Sequence, residues 1–207
     1  ESETYERGSL SNSLWALAKM RFVARTEDDL ILVGRIADMA VQGMSKLQHM
    51  ELANLSWAFS AIGVTYTRPG ERRPKKDKEL LFRGMALPLR EKLTRFFLEV
   101  AKVAPPLLER FRAQELSNIA VAFSRAANGN TLARGNFKFG NSPLMPAVAF
   151  MSALSRECRT RVRDLQPQHL ANTAWAFSKT NVLSPADASS FLLAVASAAL
   201  AKMNSFK

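Results

Sequence analysis

Residues 52–61 read LANLSWAFSA, and the phrase returns three times: LSNSLWALAK at 10–19, LSNIAVAFSR at 116–125 and LANTAWAFSK at 170–179. The shared template is Leu, a small residue, Asn, two variable positions, Trp or Val, Ala, Phe or Leu, then Ser or Ala. A large apolar residue stands five places before each leading Leu, at Tyr5, Leu47, Phe111 and Leu165. The intervals between the leading leucines are 42, 64 and 54 residues. The two longer intervals hold polar inserts rich in Gly, Pro and Asn, at 65–78 and 128–142, which read as loops. Removing roughly 15 to 25 residues of insert restores a period near 40, the range of two-helix solenoid repeats.

The template suits a helix. With the leading Leu at zero and about 100° per residue, the Phe or Leu seven later falls near 340° and completes one apolar stripe. The Trp falls near 140°, close to the small residues at about 100° and 80°, and the Asn falls near 200°. A helix with two apolar faces must pack on both sides, as stacked repeats require. On this reading Trp15, Trp57 and Trp175 belong to the core between repeats. The partner helix is amphipathic, with Leu30, Val33, Ile36, Ala37, Ala40 and Met44 at one helical spacing and Leu89, Leu93, Phe96, Phe97 and Val100 at another.

The expected fold is all-α. It is a single array over 1–207, an α-solenoid of four two-helix repeats with two loop inserts, its superhelical hand left open. Motif helices are expected near 9–20, 49–63, 113–127 and 167–180. The remaining helices are expected near 27–43, 79–87, 89–103, 143–163 and 185–203. Thr26 before three acids, and Ser184 before Pro185, read as N-caps. The order opens on a motif helix and closes on its partner type, so a longer array or capped ends are expected.

Composition narrows the chemistry. Of 207 residues, 29 are Lys or Arg and 18 are Asp or Glu, a net charge of +11. A hydrophobic share of 47% is that of a folded chain and too high for a disordered one. One cysteine, Cys158, excludes an internal disulfide and a cysteine-based zinc site, and two histidines leave little for a histidine metal site. The most apolar stretch, near 189–203, is shorter than the roughly 18 residues a membrane span needs. No phosphate loop, paired-carboxylate motif, metal-ligand spacing or nucleophile with a base is present, so neither enzyme activity nor a cofactor is expected.

The positive surplus points to a polyanionic partner and is local. Residues 68–95 hold ten basic residues against four acids. A second group, Arg156, Arg159, Arg161 and Arg163, ends one partner helix, with three of them at helical spacings of 3 and 4. The candidate phosphate contacts are Arg72, Arg73, Lys75, Lys76, Arg83, Arg90, Arg95, Arg156, Arg159 and Arg163. The alternative for each is a solvated surface charge.

The motif strings, above all LANLSWAFSA and LANTAWAFSK, resemble the octotricopeptide repeat family and the related helical repeats that precede RAP domains in organellar proteins. The resemblance spans the four motif helices directly and the partner helices by pattern. It implies an α-solenoid of a mitochondrion or chloroplast that acts on RNA: in transcript maturation or stability, in translation, or as a ribosomal subunit. The chain departs from the pattern in its stretched intervals, in Val121 where the other copies have Trp, and in having no RAP domain. The alternative is an architectural or protein-binding scaffold of a large organellar complex with no direct RNA readout. An RNA binder should join its basic groups on one continuous surface, whereas a scaffold should expose an apolar patch.

Four further readings concern single residues. Asn12, Asn54, Asn118 and Asn172 recur at one position, either to fix repeat stacking through hydrogen bonds or to read bases. The Trp side chains are alternatively base-stacking surfaces. His49 and His169 precede motif helices as surface or cap residues. Cys158 sits among arginines, which would lower its thiol pKa, or it is a plain helix thiol.

Overall fold

The computed structural model describes residues 2–64, 87–128, 145–180 and 185–203. The insert 65–78 lies outside the described residues, as do 129–142 of the second insert, all but Leu87 of the helix expected at 79–87, and Ser184. The described chain is all-α apart from one short bridge. The helices are α1 (Ser2–Lys19), α2 (Glu27–Gln42), α3 (His49–Ala61), α4 (Leu87–Val103), α5 (Ala113–Asn128), α6 (Met145–Thr160), α7 (Pro167–Lys179) and α8 (Pro185–Ala201). Short 3-10 segments at Met44–Lys46 and Pro105–Arg110 lead from α2 and α4 toward the next motif helix.

The odd-numbered helices carry the motif, and each packs against the next in the order α1, α3, α5, α7. The even-numbered helices pack in the order α2, α4, α6, α8. Two layers result. The motif explains both kinds of packing. Small buried residues (Ala53, Ser56, Ser60, Ser117, Ala120, Ser124) let neighbouring odd helices approach closely. The Phe at motif place seven joins the layers. Phe59 meets Phe96 of α4 with ring centroids 4.8 Å apart. Phe123 lies between Phe97 of α4 at 5.2 Å and Phe150 of α6 at 4.7 Å, and Phe177 meets Phe191 of α8 at 4.8 Å. These edge-on and tilted pairs add to the area that the rings bury. The apolar residues five before the leading Leu of α3, α5 and α7 close the turns, and Leu47, Phe111 and Leu165 are buried.

Motif helices begin with a repeated device. The residue four before the leading Leu is the cap position, and the residue one before it turns back to that position's N–H. Gln48 N–H donates to Glu51 Oε2 at 2.8 Å and Arg112 N–H to Glu115 Oε2 at 2.9 Å. Gln166 N–H donates to His169 Nδ1 at 3.4 Å. Each satisfies an N–H that the helix leaves without a partner. The Thr26 cap is as expected, a full box with Asp29. The carboxyl of Asp29 is held below the usual range first by the N–H groups of Arg25 and Thr26.

Two features had no counterpart in the sequence pattern. Val23–Ala24 (β1) and Gly63–Val64 (β2), the exits of α1 and α3, pair in parallel, with Val23 opposite Gly63. Arg21 takes the left-handed conformation (φ 58°) and ends α1, with Phe22 N–H bonded to Leu17 O and Arg21 N–H to Ala18 O. That is the Schellman arrangement with Arg where Gly is usual, at a conformational cost of about 1 kcal/mol.

Candidate nucleic-acid interface

In the inner odd helices burial leaves one strip open. Along α3, residues 51 to 60 are buried except Asn54 and Trp57, which share a face with exposed Met50 and half-buried Ala61. On α5 the same places are Gln114, Asn118 and Arg125, with Val121 buried between them, and on α7 Gln168, Asn172, Trp175 and Lys179. On α1 they include Asn12, Trp15 and Lys19. Measured from the leading Leu, Asn, Trp and the basic residue stand at places two, five and nine. At about 100° per residue these fall near 200°, 140° and 180°, so they form one face.

The expectation that the three Trp side chains form the core between repeats needs correction. Trp175 is 44% exposed. Trp15 and Trp57 are half-buried and touch each other at the surface, ring centroids 6.3 Å apart. The ammonium of Lys19 lies over both, 5.1 Å from the Trp15 ring and 4.9 Å from the Trp57 ring. The apolar second face is real, but its buried members are the small residues and Val121. The Trp side chains lie on its outer edge. Ser60 and Ser178 hold the local turn by donating to the Trp57 and Trp175 carbonyls at 2.8 and 2.9 Å.

Asn54, Asn118 and Asn172 are half-buried and Asn12 is exposed. None makes a side-chain hydrogen bond among the described residues, so of the two alternatives the stacking bonds are not formed there. Glu51 and Glu115 are buried and cap helices, and Glu115 Oε2 also receives His49 Nδ1 at 2.8 Å. His49 also lies 5.7 Å from the Phe111 ring, so it links repeats rather than standing on the surface. Burial lowers the pKa of Arg125, and its guanidinium stays cationic.

The even layer carries the other basic candidates. Arg72, Arg73, Lys75, Lys76 and Arg83 lie outside the described residues. Arg90 and Arg95 are on α4, with Arg95 exposed; Arg156 is exposed on α6, the next helix of the layer. The arginine group at the end of α6 is not one basic face. The helix stops at Thr160, so Arg163 lies beyond it in a turn. Arg159 donates to Ser190 Oγ of α8 at 2.6 Å. Arg161 donates to the Phe111 carbonyl at 2.7 Å and pairs with Glu157. Lys202 does the same one repeat on, donating to the Arg163 and Leu165 carbonyls at 2.7 Å. Phe111 and Leu165 hold the same motif place, five before the Leu, so these cations serve the turn carbonyls. Arg90, Arg95, Arg156 and Arg163 have no ion pair among the described residues.

Cys158 is fully buried, and its thiol is pushed up to about 12, chiefly by desolvation and next by Glu157, with Arg161 opposing. The lowered pKa considered for it is overturned, because burial outweighs the neighbouring guanidinium. Burial and the nearby Lys202 lower the pKa of His169. Among the described residues no group of three or more His, Cys, Asp or Glu is placed to hold a metal ion. No helix there is long and apolar enough to cross a membrane.

The strip was within reach of the sequence, since spacings of three and four link places two, five and nine. It was missed because the Trp place, beside small residues on the second apolar face, reads as a packing face. Comparison with protein-family models, with curated proteins and with solved structures gave no match.

Proposed function

We propose that the chain is a four-repeat α-solenoid that binds RNA through phosphate contacts and works in a mitochondrion or chloroplast, as a ribosomal subunit or a transcript maturation or stability factor. The organellar setting rests on the motif's resemblance to octotricopeptide and RAP-associated repeats. The RNA reading rests on one observation above the rest. Among the described residues, Arg90, Arg95, Arg156 and Arg163 stay without ion pairs on or beside neighbouring helices of one layer. A surface that leaves guanidiniums unneutralised suits the phosphate backbone, whose binding releases counterions and weakens with salt.

The test is binding to an RNA pool at two salt concentrations. Affinity should fall linearly on a log–log scale, and replacing Arg95 or Arg156 by Ala should reduce that slope by about one for each phosphate no longer neutralised. Absence of binding at low salt, or binding without a salt slope, refutes the reading.

One observation favours the scaffold alternative. The outer helices of the even layer expose apolar side chains: Ile31, Leu32 and Met39 on α2, and Leu193 and Leu200 on α8. A protein-binding role predicts that polar substitutions there release protein partners and leave RNA affinity unchanged.

A further inference from the structure

We propose that the outward strip of the odd layer is a track for single-stranded RNA, with the indole of Trp175 as an open stacking platform for an unpaired base. The proposal deepens the RNA reading and rests on it. It assigns a second surface, distinct from the even-layer arginines, that engages bases.

Three features fix the occupant. The first is charge. Places two, five and nine hold Asn, Trp or Val, and Lys, Ala or Arg on the four motif helices, with no acid among them. The nearest motif carboxylates, Glu51 and Glu115, are buried and capping. A strip with Lys19, Arg125 and Lys179 along one margin attracts a polyanion.

The second is the aromatic chemistry. Trp175 is flanked by Asn172 three residues before and Lys179 four residues after, which places stacking, amide pairing and phosphate contact on one helix face. A flat indole accepts any unpaired base, and an open amide can pair with a base edge. The motif does not need an exposed indole for folding, since Val121 occupies the same place in α5 and is buried.

The third is spacing. Adjacent packed helices lie about 8–10 Å apart, and α5 offers the buried Val121 in place of a ring, so platforms on different motif helices are spaced more widely than the roughly 3.4 Å step of a base-paired stack. A splayed single strand can follow such a track and a duplex cannot. At the α1 end the Trp15–Trp57 pair is bridged by Lys19, so there the cation and ring faces are already engaged. Trp175 has no such contact among the described residues and is the platform ready for a base.

The experiment uses a single-stranded oligouridylate, an RNA duplex of equal length and heparin as a polyanion without bases. The single strand should quench tryptophan fluorescence and bind more tightly than the duplex. Trp175→Ala should weaken single-strand binding roughly 5- to 100-fold, leave heparin binding and the salt slope unchanged, and keep the wild-type melting temperature. Trp175→Phe should restore most of the loss. Wild-type affinity in Trp175→Ala, or equal binding of duplex and single strand, overturns the track while the phosphate reading stands. Failure to bind any RNA at low salt removes both.

Discussion

Phe123 and Trp175 are large aromatics only two motif places apart, at places seven and five, yet they end on opposite sides of their layer. Phe123 is 1% exposed and Trp175 44%. The Phe stitches the odd layer to the even layer, between Phe97 and Phe150. The Trp stands on the surface that no second layer of the described residues covers. About 200° of helical rotation separates two residues that hydropathy alone treats alike. What buries a side chain here is the layer across from it, and the close approach of odd helices is made by small residues.

That contrast is broken most directly at Phe123. Phe123→Ala empties a site lined by aromatic rings of two other helices, and it should cost about 3–5 kcal/mol in urea unfolding. A loss below about 1 kcal/mol would mean that the layers are not joined there. Next in size is Glu115→Ala. It takes an acceptor from the Arg112 N–H at the start of α5 and from His49 on α3, and about 1–2 kcal/mol should go. Trp57→Ala sharpens the comparison further. The ring is half-buried, packed on the core and covered by Lys19, so about 1–2 kcal/mol is expected, between the Phe cost and nothing. Trp175→Ala should stay within about 0.5 kcal/mol of wild type. If the two Trp variants cost as much as Phe123→Ala, the second face is core after all.

Much of this architecture was legible because the motif repeats both composition and period. The all-α class and all the described helices follow from it, with ends within three residues of those expected except the start of α1, which lies seven residues earlier. The turn chemistry was less legible. The cap residues are Gln, Arg and Gln, none of the usual capping types, and they serve through their own backbone N–H groups toward the residue three later. The β1–β2 bridge is two residues a side, too short for any alternation to register. The candidate interface was half legible. Basic density marked α4 and α6, but density does not tell a cation that bonds a turn carbonyl, such as Arg161, from one left unpaired, such as Arg156. That distinction depends on where α6 ends and on which carbonyls the fold brings near it.

The smallest effect is the most exact test of the cap arrangement. His169 stands where α3 and α5 carry a Glu, and it accepts the Gln166 N–H through Nδ1. Burial first, and the charge of Lys202 second, lower its folded pKa from the ordinary 6.5. Between the lowered folded value and 6.5 the unfolded chain therefore binds more protons, so stability falls as pH drops through that window and is fully present above it. Protonation at Nδ1 also removes the acceptor, which acts in the same direction. The wild type should lose melting temperature between pH 7.5 and pH 5.5 relative to His169→Gln, which keeps an acceptor within reach of the cap N–H and does not titrate. The difference should be small, because the imidazole is only partly buried. An identical pH profile in the two proteins would mean that the ring does not cap α7, and that the motif device there differs from the one that opens α3 and α5.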